Sequence, residues 1–152
     1  MAKKTSPRKV KRAPARRASK KKSRSSPPGH VFTRDLYGWI THTDLASFDP
    51  AATKAWCAKV LGWTFRPSFT TPAGEYHLFA YAEKGGGGIR GIKPPEVPGS
   101  MPYIHVADAQ AAFDKAIREG AEPISPPERV MEGVTIAVVR APGGVPIGLS
   151  GP

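Results

Sequence analysis

The order of apolar and polar positions over residues 38–150 predicts two similar blocks of secondary structure. The first block opens with a strand over Gly38–Ala46, whose β-branched and aromatic residues favour a pleated sheet. Asp49-Pro50 predicts a helix start, because aspartate accepts hydrogen bonds from free backbone N–H groups and proline loses none at the first helical position. Gly62 then predicts a left-handed helix end.

The rest of the first block is assigned from local composition. Ala52, Trp56 and Val60 fall on one face of the predicted helix. Three segments after the helix have strand composition: Trp63–Phe69, Tyr76–Ala82 and Ile89–Ile92. A turn is predicted at 71–74, and Gly85–Gly88 is predicted to be a flexible, mobile turn of a hairpin.

The second block repeats this pattern. A strand is predicted over Met101–Val106, and a helix follows from its cap at Asp108 to a stop at Gly120. Its buried stripe is predicted from helical spacing: Ala112, Phe113, Ala116 and Ile117. Three strands complete the block: Glu122–Ile124, Val134–Arg140 and Val145–Leu149, with a turn at 142–144 before the last.

The two blocks have nearly the same internal spacing. The predicted helix caps lie 59 residues apart, and the helix stops lie 58 apart. A strand–helix–three-strand unit used twice explains this repeat. We therefore predict an α+β fold with one domain over 31–152, made of modules at about 38–93 and 100–150. Each module alone would expose a sheet face, so the two must pack together or pair with a second subunit.

Charge is distributed very unevenly along the 152 residues. The chain has 23 Lys and Arg, 12 Asp and Glu, and a formal net charge of +11. Residues 1–30 hold twelve of the basic residues and no acid, so they carry +12. The remainder holds eleven basic and all twelve acidic residues and carries −1. The basic character belongs to an N-terminal extension and not to the domain.

The extension has too few apolar residues to offset the entropy of ordering, so we predict that residues 1–29 are disordered. Three interpretations remain open: a solubilising tail, a nonspecific polyanion binder, or a nuclear targeting signal in a eukaryotic host. The candidate nucleic-acid contacts are basic residues in its central part: Lys11, Arg12, Arg16, Arg17, Lys20, Lys21 and Lys22.

Composition also bounds the compartment. No apolar run approaches the ~20 residues that span a bilayer, and we expect no membrane association. The N-terminus lacks the apolar region of a secretory signal. The single cysteine, Cys57, excludes a disulfide framework and a cysteine-rich zinc site. We expect a cytoplasmic protein, associated with the nucleoid if the tail binds DNA, or nuclear in a eukaryote.

Four stretches resemble one protein family in their order and spacing: His42-Thr43-Asp44-Leu45 with Asp49, Val60–Trp63, Pro102–Val106, and Ala141–Leu149. Over about residues 38–150 they resemble the vicinal oxygen chelate superfamily of glyoxalase I, fosfomycin- and bleomycin-resistance proteins and extradiol dioxygenases. The resemblance is greatest to its glyoxalase-like branch of small bacterial proteins. It implies paired βαβββ modules whose mixed sheets curve around a cavity.

The metal-dependent members hold a divalent ion through His, Gln or Glu side chains on the first and last strands of each half. The resemblance places the first of these ligands on His42. The other three positions fall near Ile89–Lys93, on Met101 and on Gly148, and none offers a side chain that suits a hard cation. We therefore expect no divalent metal and no other cofactor.

The site residues are predicted from strand alternation and residue chemistry. His42 is either a hydrogen-bonded pocket wall or a general base. Asp44, on the same strand face, orients His42, acts as a base or has a hydrogen-bonded structural role. Met101, Tyr103 and His105 share a face that lines a pocket if it is concave. Two further residues are Cys57, a ligand-binding candidate or a small core residue, and His77, expected on an exposed or interface face. Trp39, Trp63, Phe65, Phe79 and Tyr81 build either an apolar cavity or the core.

Three functions stay open on this basis. The first is binding of a small organic ligand in an apolar cavity without metal, as in members that sequester ligands. The second is a metal-independent lyase or isomerase acting on a small oxygenated compound, with His42 as base. The third is a nucleic-acid-associated protein in which a homodimer of the domain doubles the number of basic tails.

Overall fold

The computed structural model describes residues 36–72, 74–83 and 85–152. This part of the chain forms two helices and one curved, open, nine-stranded sheet. The first half comprises β1 Ile40–Ser47, α1 Pro50–Leu61, β2 Thr64–Phe65, β3 Phe69–Thr71, β4 Gly74–Ala82 and β5 Gly85–Gly91. The second half comprises β6 Gly99–His105, α2 Ala109–Arg118, β7 Glu122–Met131, β8 Val134–Arg140 and β9 Pro146–Gly151. The predicted α+β class is confirmed.

The two halves join edge to edge within one chain. The strand order is β2-β4-β5-β1-β6-β9-β8-β7, and β3 also pairs with β4. At the centre, β1 runs antiparallel to β6, while β1 is parallel to β5 and β6 is parallel to β9. Both short strands β2 and β3 pair with β4, so together they take the place of one strand of the first βαβββ module.

The helix boundaries follow the predicted capping residues. Asp49 Oδ1 accepts a hydrogen bond of 2.9 Å from the Ala52 amide, and Asp108 Oδ1 accepts one of the same length from Ala111. Gly62 has φ +68°, a left-handed conformation that costs a glycine little. These caps are local interactions, which is why the sequence predicts them correctly.

Both helices cover the same face of the sheet. A side chain at Gly91 would point towards Pro50 at the start of α1, and one at Gly151 would point towards Ala109 in α2. In α2 the predicted stripe is the half-buried side, whereas Gln110, Ala111, Asp114, Lys115 and Arg118 are exposed. The buried apolar core comprises Cys57, Phe79, Ile89, Ile92, Ala109, Val134, Ala137, Val138, Val139 and Leu149.

Helix α1 does not present the apolar face that its spacing suggests. Trp56 and Val60 are 56% and 57% exposed, and Cys57 is the buried residue of this helix. Thr53 Oγ1 lies 2.8 Å from Ser47 Oγ, and the Lys54 ammonium lies over the Phe65 ring. The face of α1 that lies against the sheet therefore makes its contacts through a threonine hydroxyl and a lysine side chain. The spacing of apolar residues along the sequence does not detect such contacts.

The run Gly85–Gly88, predicted to be a mobile turn, is part of strand β5. A Cβ atom at Gly87 would lie 2.0 Å from the Thr43 carbonyl oxygen and 2.5 Å from the Phe79 ring. Glycine is therefore required for close packing between neighbouring strands and does not confer mobility here. The prediction was wrong because composition alone does not distinguish these two uses of glycine.

Strand β7 runs to Met131, well beyond the predicted Glu122–Ile124 segment. Pro123, Pro126 and Pro127 lie within it, and its pairing with β8 shifts register three times. Because β7 is at the edge of the sheet, a residue without a backbone N–H is tolerated there. The sequence prediction stopped at the prolines because it could not place the strand at an edge.

The basic N-terminal extension over residues 1–30, with its predicted disorder, lies outside the described residues. Within residues 36–72, 74–83 and 85–152, no helix is long and apolar enough to cross a bilayer.

We predict that Gly87→Ala lowers the free energy of unfolding by about 1–3 kcal/mol, the usual cost of overpacking a well-filled site. The measurement is urea denaturation followed by circular dichroism. Gly99→Ala is the matched control, because nothing lies within 4 Å of a Cβ at that strand glycine. Equal stability of the two variants would contradict close packing at Gly87.

Candidate functional site

The pairing of β1 with β6 brings four predicted site residues together on the face opposite the helices. Asp44 lies opposite Met101, and His42 lies opposite Tyr103. Directly opposed residues of antiparallel strands have neighbouring side chains on the same face. The Tyr103 ring accordingly meets the His42 ring edge-on, with centroids 5.7 Å apart.

Asp44 is the buried centre of a hydrogen-bond network on this face. Asp44 is only 7% exposed. A buried carboxylate destabilises the fold unless it is paired or hydrogen-bonded. Tyr76 donates its hydroxyl proton to Asp44 Oδ1 at 3.0 Å, and Arg90 Nε donates to Oδ2 at 2.7 Å. The Tyr76 hydroxyl also lies 2.8 Å from His42 Nε2.

The direction of these hydrogen bonds fixes the role of His42 Nε2. Tyr76 has one hydroxyl proton, and Asp44 can only accept, so Nε2 of His42 must donate to the Tyr76 oxygen. Burial raises the pKa of Tyr76 well above its ordinary value, and the charge of Asp44 raises it further. The phenol therefore stays protonated and keeps its hydrogen bond to Asp44.

Arg90 connects this network to the β5–β6 connection. Its Nη1 donates to Glu96 Oε2 at 3.0 Å, and its Nη2 donates to Glu96 Oε1. The hydrogen bond to Glu96 is the largest cause that raises the pKa of Arg90 above its ordinary value, and it lowers that of Glu96. The guanidinium is thus a permanent cation between two carboxylates.

Sequence reasoning missed Tyr76 and Glu96, and it included Arg90 only within Ile89–Lys93, a stretch without a side chain that suits a hard cation. Tyr76 lies directly opposite Arg90 in the β4–β5 pair, so the two side chains share a face. A correct strand assignment for Gly85–Gly88 would have indicated that proximity. Nothing in the local sequence marks Glu96, which lies in the exposed segment 93–98.

Two tyrosine rings cover glycines at the centre of the face. A Cβ at Gly88 would lie 2.0 Å from the Tyr76 ring, and one at Gly148 would lie 2.3 Å from the Tyr103 ring. Both phenols are largely buried, and burial raises the pKa of Tyr103 to about 12. The glycines leave the space that these rings fill.

The residues on this face do not fit the metal ion implied by the family resemblance. His42 Nε2 is engaged with Tyr76, Arg90 places a cation beside Asp44, and Gly148 lies beneath Tyr103. Met101 offers only a thioether, a poor ligand for a hard divalent ion. Among the described residues, no group of three or more His, Cys, Asp or Glu could hold a metal ion.

The remaining predicted site residues do not join the network. His105 is almost fully buried, with its ring centroid 5.3 Å from that of Tyr37. His77 is buried and lies 2.6 Å from Ser68 Oγ through Nδ1, so the expectation of an exposed or interface position is wrong. Cys57 is buried in α1, on the opposite side of the sheet, and burial raises the pKa of its thiol.

The aromatic residues of the first half divide between core and surface. Trp63 stacks on the buried Phe79 with centroids 4.3 Å apart, and Phe65 packs beside them. Trp39 and Tyr81 are exposed and line an open apolar cleft of about 430 Å³ with Leu36, Ile40, Thr41, Ala82 and Gly85. A second cleft, of about 340 Å³, is lined by residues 61–64 and 80–82.

The larger cleft reaches β1 immediately before His42, because Ile40 and Thr41 belong to its lining. Neither cleft is lined by Met101, Tyr103, His105 or Cys57. The candidate site is therefore the polar network on β1, β4 and β5, and the apolar cleft is a separate feature at the start of β1.

Comparison with family models matches residues 39–149 to the Glyoxalase/Bleomycin resistance protein/Dioxygenase superfamily. Comparison with curated protein sequences gives no significant match.

Several solved structures share the fold at low sequence identity. Methylmalonyl-CoA epimerase from Mycobacterium tuberculosis has 18% identity and a TM-score of 0.63, with 81% of this chain and 93% of that chain covered. A hypothetical protein from Bacillus halodurans C-125 has 12% identity and a TM-score of 0.62, with coverage of 73% and 91%. A superfamily member from Vibrio splendidus 12B01 has 15% identity and a TM-score of 0.53, with coverage of 71% and 94%.

We predict that Tyr76→Phe lowers the free energy of unfolding by about 1–3 kcal/mol, because a buried Asp44 oxygen then loses its donor. Chemical denaturation measures this change. Tyr81→Phe, which removes the hydroxyl of an exposed ring, is the control and should change stability by less than about 0.5 kcal/mol. If Tyr76→Phe has the same free energy of unfolding as the wild type and as Tyr81→Phe, the hydrogen bond from Tyr76 to Asp44 is contradicted.

Proposed function

Since the chain belongs to the glyoxalase/bleomycin resistance protein/dioxygenase superfamily, we propose that it binds a small organic ligand on the open face of its sheet without a metal ion. The observation that carries this proposal is the replacement of the metal-ligand positions. Arg90 and Tyr76 surround Asp44, and Tyr103 fills the space over Gly148. In place of a metal, this face has the Arg90 cation, whose partner Glu96 is exposed to solvent.

A separate apolar cleft lies at the start of β1. Ile40, in the cleft, lies opposite Ile104, whereas His42, in the network, lies opposite Tyr103, and the strand is irregular between them. Successive residues of a strand, here Tyr103 and Ile104, point to opposite faces of the sheet. Ile40 and His42 therefore do not share a face. We assign the ligand to the polar network and not to the cleft.

A metal-independent lyase or isomerase is the second form of this proposal. The Asp44–Tyr76–His42 chain of hydrogen bonds positions the His42 imidazole, the side chain that most often serves as a general acid or base. Methylmalonyl-CoA epimerases, which share the fold, are isomerases by name. Their likeness to this chain supports the fold alone, and the His42 geometry carries the enzymatic interpretation.

The test is a thermal-shift screen of small organic molecules on the full chain, dialysed against a chelator. We expect ligands that bind with unchanged affinity after chelation, and His42→Ala should weaken them about tenfold, the loss of one hydrogen bond or about 1.4 kcal/mol. Lys59→Ala, on the exposed side of α1, is the control variant. Ligand binding that disappears with the chelator and returns with a divalent ion would refute the proposal.

A second candidate function rests on residues 1–30. This segment carries +12 and no acid, whereas the rest of the chain carries −1. We propose that it binds nucleic acid without sequence preference, because lysine and arginine that neutralise phosphates release condensed counterions. A homodimer of the domain would double the number of tails and raise the avidity. Location on a chromosome would follow from this function.

For this function we predict DNA binding that weakens steeply with salt, measured by fluorescence anisotropy with duplex DNA. Serine in place of seven basic residues should reduce the slope of log K against log salt by about 6, at about 0.9 for each phosphate that is no longer neutralised. The seven are Lys11, Arg12, Arg16, Arg17, Lys20, Lys21 and Lys22. A scrambled tail of the same composition should bind as the wild type does. Equal binding by the serine variant would exclude this function.

A further inference from the structure

We infer that the outer edge of the Arg90 guanidinium binds a carboxylate group of the ligand, and that Glu96 occupies this edge as an internal competitor. The inference rests on the proposed function, since it names a chemical class for the ligand of the open sheet face.

Asp44 fixes the direction in which the Arg90 guanidinium points. Its Oδ2 accepts from Nε at 2.7 Å, and Asp44 is itself buried and bonded to Tyr76. One edge of the planar guanidinium is thereby anchored inside the site. The other edge, with Nη1 and Nη2, presents two parallel donors, the arrangement that suits a carboxylate best. Arg90 is therefore prepared for two-pronged binding of a planar anion.

Glu96 occupies that edge from a different part of the fold. Both of its carboxylate oxygens accept from Arg90, through Nη1 and Nη2. It lies on a turn closed by a hydrogen bond of 3.1 Å from its amide to the Lys93 carbonyl. Its side chain is 47% exposed, whereas that of Asp44 is 9% exposed. The two carboxylates on Arg90 thus differ: one is buried and structural, and the other faces water.

The exposed carboxylate is the one that a ligand can replace. An exposed ion pair is of modest strength, since water solvates both partners when it opens. Replacement of Glu96 by a ligand carboxylate leaves the charge around Arg90 unchanged and keeps both Nη donors satisfied. Glu96 can then move into solvent with its exposed turn. Removal of the Asp44 pair would instead leave a buried charge without a partner.

Glu96 reduces the apparent affinity of Arg90 for a ligand carboxylate. The affinity that is measured is the intrinsic affinity multiplied by the fraction of time for which the Nη edge of Arg90 is unoccupied. If the Arg90–Glu96 pair is formed about nine-tenths of the time, its removal strengthens carboxylate binding about tenfold. Benzoate is a suitable probe, because its planar carboxylate matches the two parallel donors of the guanidinium edge. Benzamide has the same shape without the charge and serves as the control ligand.

The experiment measures the dissociation constants of both probes for the full chain by NMR titration. Glu96→Gln and Glu96→Asp are compared with the wild type. Glu96→Asp keeps the charge but shortens the side chain, so it loses the reach for both nitrogens. We expect both substitutions to strengthen benzoate binding, by about tenfold for Glu96→Gln and by less for Glu96→Asp, with little change for benzamide.

Glu122→Gln is the matched control variant. It removes a carboxylate from another exposed arginine, since Glu122 lies 3.7 Å from Arg140 Nε on the β7–β8 pair. Benzoate binding by this variant should equal that of the wild type. A gain in Glu122→Gln as large as that in Glu96→Gln would show a general charge effect and overturn the inference. An unchanged benzoate affinity in both Glu96 variants would overturn it as well.

Failure of this inference can be told apart from failure of the proposed function. Suppose that an uncharged ligand binds the chelated protein through His42 while benzoate affinity is insensitive to Glu96. The proposed function then stands, and the carboxylate inference falls. If instead ligands bind only with added metal, the proposed function falls, whereas a gain of benzoate binding in Glu96→Gln still supports the role of Glu96.

Discussion

A single buried carboxylate on the central strand organises the open face of the sheet. Asp44 must be compensated where it lies, because an unpaired charge in the protein interior costs several kcal/mol. Tyr76 from β4 and Arg90 from β5 provide this compensation. Their positions then determine the next interactions outward, since the Tyr76 oxygen faces His42 and the Arg90 Nη edge faces Glu96. One charge therefore aligns groups from three strands and a connecting segment.

The parts of the fold that the sequence predicted correctly depend on short-range interactions. Asp49 and Asp108 cap their helices through amides only three residues away, and the stripe of α2 follows from helical spacing. The repeat of this pattern also predicted the two modules. Strand alternation placed His42 with Asp44 and Met101 with Tyr103, and the pairing of β1 with β6 brings these two pairs together.

The parts that were missed depend on partners distant in sequence or on uncommon uses of a residue. Tyr76 and Arg90 are 32 and 46 residues from Asp44, and only the strand register brings them together. The glycines of β5 accommodate aromatic rings, a use that composition does not separate from a flexible turn. In α1, Thr53 and Lys54 make the interactions of the inner face, so the apolar spacing of Trp56 and Val60 selected the wrong side.

The two margins of the sheet have a consequence for self-association. At one margin β7 contains three prolines and irregular pairing, and at the other β2 and β3 are two and three residues long. Neither presents the long, regular row of backbone donors and acceptors on which a neighbouring molecule could add another strand. Both margins therefore disfavour fibrillar stacking through shared hydrogen-bond ladders. Copies of this chain that associate would meet through side chains on the faces of the sheet and helices, where mutation can tune the interface residue by residue.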